Sequence, residues 1–125
     1  MLGDPFIIDS VYRMIRKKID NAKIGKLLVD GNYQVCSGDP YMLMESVCGF
    51  EPHGLLRAGQ IYSEYWVQKQ VNEVVVFRSP MTSHNNIRKC EVGNQPEMAY
   101  WYQYMDGIMI LNGWDTMCQA LNGCD

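Results

Sequence analysis

Val71-Asn72-Glu73-Val74-Val75-Val76-Phe77-Arg78-Ser79-Pro80 is the stretch on which the fold turns. Its β-branched run predicts a strand over residues 71–77, and its continuous apolar character predicts burial on both faces. Ser79-Pro80 ends the run, because proline lacks the N–H that a ladder needs. Residues 81–86 have turn chemistry. Ile87-Arg88-Lys89-Cys90-Glu91-Val92 then alternates in the manner of a strand with one covered face.

Working downstream, Gly93-Asn94-Gln95-Pro96 is a turn, and residues 96–105 have the spacing of a helix carrying Tyr100, Trp101 and Tyr104. Gly107 resets the chain before a strand at 108–111. Asp115 is placed to cap a short helix running to Leu121, which Gly123 closes. Upstream, the aromatic-rich residues 60–66 suit either strand or helix, with strand the favoured reading. Residues 41–47 read as a helix with Pro40 at its first position and Gly49 as its stop. A strand at 26–29, a tight turn at Asp30-Gly31 and a returning strand at 32–36 are expected between that helix and the N-terminal segment. There, Ile7, Val11, Ile15 and Ile19 recur every four residues, predicting an amphipathic helix from Ile8 or Asp9 to about Lys23, capped by Asp9 or Ser10 and ended by Gly25.

Many short strands interrupted by short helices predict an α+β chain, a compact barrel with inserted helices rather than a doubly wound sheet. The expected division is an N-terminal basic amphipathic helix at 1–24 and a barrel domain at 25–125. No strand, glycine-rich loop and helix unit of the dinucleotide or P-loop kind occurs.

At 125 residues the chain is long enough to bury a core. No apolar run approaches the ~20 residues of a membrane-spanning helix, so no membrane partner is expected. The N-terminus lacks the basic and apolar regions of a signal peptide, which leaves the cytoplasm as the expected compartment. Five cysteines, an odd number with no C-x-x-C pair, suit neither a zinc site nor a disulfide framework; mostly buried thiols are expected. A cysteine hydrolase built on Cys48 and His53 has little support, because Cys48 falls at the end of a helix rather than at its start.

The formal net charge is −3, which taken globally disfavours a nucleic-acid partner, but charge is unevenly spread. Arg13, Arg16, Lys17, Lys18, Lys23 and Lys26 crowd the first quarter, either as a solvated helix face or as one that contacts phosphates. Arg78, His84, Asn85, Arg88 and Lys89 gather around one loop. An arginine at a strand end is commonly a surface ion pair, yet its fixed fork of donors also suits phosphate and ribose oxygens, and the clustering favours a binding surface. Tyr100, Trp101, Tyr102, Tyr104 and Trp114 offer core packing on one reading and base stacking on the other.

As a string, Arg78-x-Pro80 with Ile87-Arg88 beyond it resembles the R-x-P…I-R element of RNA polymerases built on the double-psi β-barrel. The similarity is to the single-chain branch, comprising RNA-silencing RNA-dependent RNA polymerases and phage-encoded relatives. Upstream, Gly25-Lys26, Asp30-Gly31, Gly38-Asp39-Pro40 and Cys48-Gly49 are similar in order to the first psi-loop half, so the resemblance covers about 25–125. In that family a D-x-D-G-D hairpin follows, and Asn122-Gly123-Cys124-Asp125 resembles its opening.

The resemblance implies an incomplete double-psi β-barrel that ends at the first aspartate of the motif, a fragment inactive by itself. It also implies nucleotidyl transfer by the intact enzyme, with nucleoside triphosphates and a nucleic-acid template as partners. Asp125 would be the catalytic ligand of magnesium, an incomplete site here; Arg78 would lie near the nucleotide sugar or product strand, and Arg88 and Lys89 near phosphates. The family's histidine falls at the position of Ser83, with His84 one place later, and a phage source would set the chain in the host cytoplasm. Unpaired barrel edges would drive self-association. The other reading is a small non-catalytic module that binds single-stranded nucleic acid or protein.

Overall fold

The computed structural model describes residues 3–81, 86–115 and 121. The chain divides into two compact units, Met1–Asn32 and Tyr33–Asp125. The first unit holds one helix, α1 (Pro5–Lys23). It begins one turn earlier than its apolar periodicity predicts, because Asp4 caps it: its Oδ1 accepts from the Phe6 N–H at 2.9 Å, and Pro5 takes the first position, where no N–H is needed. Beyond Ile24, Gly25 turns the chain out of the helix at φ +80°.

The expected hairpin at 26–36 does not form. Residues 26–34 carry no strand, and only β1 (Val35–Ser37) is extended and paired. Its partner is not a sequence neighbour but β5 (Ile108–Leu111), in parallel, with Val35 opposite Ile108. An isolated two-stranded ribbon is marginal in water, whereas joining a larger sheet gives the three residues a stable ladder.

The second unit is mixed α+β, with a curled, half-barrel sheet of five strands. The remaining strands are β2 (Gln60–Tyr62), β3 (Glu73–Phe77) and β4 (Ile87–Val92), giving the order β1-β5-β2-β4-β3. β2 runs antiparallel to β5 and parallel to β4, and β3 and β4 form an antiparallel hairpin. The helices are α2 (Pro40–Val47), α3 (Glu64–Gln68) and α4 (Pro96–Tyr102). The strand expected at 60–66 is thus split: β2 stops at Tyr62, and Ser63 opens α3.

Period-two alternation sorts the sheet's side chains into two cores. Ile61, Cys90, Met109 and Leu111 pack on one face with Leu121, flanked by Val74 and Val76. Tyr62 and Ile110 pack on the other face with Leu56, Met98 and Tyr102, supported by Tyr41, Val67 and Met105 from the helical layer and its connections. That layer does not cover the β3–β4 hairpin. β3 therefore alternates instead of being buried on both faces as its composition predicts: Val74 and Val76 are half-buried, while Val75 and Phe77 are exposed. β4 does have the one covered face that its pattern predicts.

Candidate functional site

Arg78 follows directly on β3, half-buried, and continues that strand's alternation of exposure. Ser79–Pro80 beyond it is cis. In the hairpin register Val76 faces Arg88, Val75 faces Lys89 and Val74 faces Cys90. Arg88 and Cys90 therefore share the covered face with Val74 and Val76, and Lys89 points the opposite way. There Lys89 reaches diagonally to Glu73 at 2.9 Å, an exposed pair. The two adjacent cations expected to act together are separated by the sheet. Of the pair, only Arg88 faces the core that contains Leu121.

Arg88 Nε is shut off from solvent and has no hydrogen-bond partner among the described residues. A buried donor left without an acceptor typically costs about 1–3 kcal/mol, more when it belongs to a charged group. Next to it, burial pushes the Cys90 thiol up to about 11; the Asp115 carboxylate adds to the shift and the Arg88 guanidinium opposes it. A cation and a carboxylate thus bear on one dry thiol. Asp115 is fixed in place: its Oδ2 accepts from Gly59 N at 2.6 Å and from Asn112 Nδ2 at 3.2 Å. Fully buried Asn112 also donates to the Gln60 carbonyl and accepts from the Trp114 and Asp115 N–H groups.

A second polar cluster, on the helical face, is closed. Asp39 Oδ1 caps α2 by accepting from Tyr41 N at 2.9 Å and Met42 N at 3.3 Å, and it also accepts from Tyr102 Oη at 2.6 Å. Burial, then the Asp39 bond, raises the Tyr102 phenol far above its ordinary range, so it stays a neutral donor. Gly54, at φ +65°, passes so close that an added Cβ would sit 2.6 Å from Asp39 Oδ2. Glu45 Oε2 accepts from the His53 and Gly54 N–H groups at 2.8 Å, and Trp114 Nε1 donates to the His53 carbonyl at 3.0 Å. In the sequence, Pro40 marks the first position of a helix and Gly38-Asp39-Pro40 resembles part of the first psi-loop half, and neither reading gives Asp39 a role in the core. The one available signal was aspartate before proline at a helix start, which predicts the cap but not its partner across the core.

The aromatic set does not act as one unit. Tyr102 is buried at 1 % exposure, while Tyr100, Trp101, Tyr104 and Trp114 are exposed. Tyr41 lies edge-on to Trp101 at 5.3 Å. The expectation of mostly buried cysteines is corrected for two positions: Cys36 and Cys48 are exposed, and only Cys90 of those described is buried. Their elements explain this, since β1 lies at the sheet edge and Cys48 is the C-cap of α2. His53 Nδ1 bonds the Glu51 carbonyl at 2.8 Å.

His84, Asp125, Cys118, Cys124 and the helix expected after Asp115, apart from Leu121, lie outside the described residues. Among the described residues no group of three or more histidine, cysteine, aspartate or glutamate side chains converges. They therefore offer no ligand set to which magnesium can be fitted. No described helix is long and apolar enough to cross a membrane. No protein-family profile, curated protein or solved structure matches the chain.

Proposed function

We propose that this chain is part of the catalytic barrel of a nucleic-acid-templated RNA polymerase of the double-psi type. The observation that carries the reading is the covered face of the β3–β4 hairpin. The R-x-P…I-R string flanks the end of that hairpin, Arg78 following directly on β3 and Ile87-Arg88 opening β4, and Arg88 shares the face whose core includes Leu121, four positions before Asp125 in the sequence. Arg88 and Leu121, far apart in sequence, lie on one side of one sheet.

In this reading the intact protein joins ribonucleotides by attack of a 3′-hydroxyl on the α-phosphate. Such catalysis rests on positioning and on compensating phosphate charge. Arg78 holds the nucleotide sugar or product strand and Arg88 a phosphate. Asp125 is a magnesium ligand in the family pattern, and His84 stands beside the family's histidine position. Lys89, on the far face with Glu73, takes no part.

The test is templated incorporation of labelled ribonucleotides by the protein that carries this sequence, with Arg78→Ala, Asp125→Asn and Lys89→Ala variants. Losses of at least about a hundredfold for the first two, with Lys89→Ala close to unchanged, are expected. No incorporation by the unmodified protein, or full activity of Asp125→Asn, overturns the reading. The exposure of Tyr100, Trp101 and Tyr104 favours a second reading, a module that stacks single-stranded bases. It requires salt-sensitive RNA binding that Trp101→Ala removes.

A further inference from the structure

We propose that α1 is an interfacial helix that lies on anionic lipid bilayers, with its isoleucine face at the boundary between headgroups and acyl chains. At about 100° per residue, Ile8, Val11, Ile15 and Ile19 fall within an arc of roughly 80°, which Ile7, Met14 and Tyr12 widen. No residue of α1 is buried, and among the described residues of unit 1 there is no second helix or strand against which that face can pack.

The placement of charge selects the occupant. Lys18 lies at the edge of the isoleucine arc, between Val11 and the widening Ile7 and Met14, and Lys23 and Arg16 border the arc on the other side. Arg13 and Lys17 lie near the opposite pole, and the two carboxylates fall between that pole and the Arg16 border: Asp9 pairs with Arg13 at 2.7 Å and Asp20 approaches Lys23 at 3.8 Å, leaving the helix with more cations than carboxylates. Arg16, Lys17 and Lys18 make no ion pair among the described residues. A second copy of α1 packed face to face would bring these cationic borders together, whereas paired helices place opposite charges there. A nucleic-acid backbone would satisfy the cations but leave the isoleucines in water. An anionic bilayer answers both features: apolar residues enter the boundary, and long cationic side chains reach back to the phosphates. The absence of a membrane-spanning run excludes a helix that crosses the bilayer, not one that lies on it.

The experiment is co-sedimentation of the full chain with vesicles of phosphatidylglycerol and phosphatidylcholine, or of phosphatidylcholine alone, with circular dichroism to follow the helix. Binding only to the anionic vesicles, weakened by salt, is expected. Lys18→Ala should weaken it about fivefold, Ile15→Glu should abolish it, and Asp20→Asn should leave it equal or tighter. Because Lys18→Ala keeps the apolar face and the helix, it tests the charge argument even if Ile15→Glu unfolds α1. No pelleting with anionic vesicles, equal binding to neutral ones, or self-association that Ile15→Glu removes without any vesicle binding would overturn the proposal.

Discussion

Asp39 and Arg88 each carry a charge towards the interior of the second unit, and their surroundings differ. Asp39 is 9 % exposed and its Oδ1 accepts two backbone N–H groups and the Tyr102 hydroxyl, so its charge is compensated where it sits. Arg88 lies on the other face with a buried Nε that nothing described accepts. A saturated polar cluster fastens α2, α4 and the loop at Gly54 into one assembly. On the other face Arg88 Nε has no acceptor among the described residues, so no bond at that atom is seen to hold the sheet's second core together.

The largest effect that would test this contrast is on the Asp39 side. Asp39→Ala removes a cap and leaves a buried phenol unpaired, and should lower stability by about 3 kcal/mol in urea unfolding. A loss under about 1 kcal/mol would mean that the cluster does not hold the helical face together.

Next is the thiol beside Arg88. The folded state raises Cys90 from 9.0 to about 11, so it binds the proton more tightly than the unfolded chain. That contribution to stability is intact below the unfolded pKa and is lost as pH rises through about 11, so the urea midpoint should fall across this window. At pH 8, iodoacetamide followed by peptide mass spectrometry should modify Cys36 and Cys48 roughly a hundredfold faster than Cys90. Equal rates would show that the face under Arg88 is wet.

The smallest effect is the sharpest discriminator. Arg88→Met should change stability by less than about 1 kcal/mol, in either direction, because it removes an unpaired donor and keeps the apolar stem. A loss above about 2 kcal/mol would make Arg88 structural, in the same sense as Asp39.

These two regions were not equally readable in the sequence. The hairpin was legible because its signals are local: β-branched residues, Pro80 as a breaker, and alternation in 87–92. Alternation also implied that Arg88 and Lys89 face opposite ways, although their adjacency invited grouping them. α2 was legible for the same reason, with Asp39-Pro40 before an apolar repeat. What failed depended on distant partners. The hairpin expected at 26–36 satisfied every local turn rule and lost to the ladder that β5 provides. The burial of β3 was over-predicted because the helices stop short of the hairpin, a limit that no property of Val74-Val75-Val76 encodes. The bond from Tyr102 to Asp39 spans most of the domain and has no spacing signature.

The pairing of β1 with β5 sets the order in which the chain can fold. Among the described strands β1 is the first to be synthesised and β5, its partner, the last, so β1 waits on the nascent chain while α2, β2, α3, the β3–β4 hairpin and α4 emerge. β5 then docks on β2 and supplies the edge that β1 joins. Long-range parallel pairing of this kind is slow, because the loop between the strands must close before any contact rewards it. Until then Val35 and Cys36 are an unpaired stretch open to chaperones and to neighbouring chains on the same message.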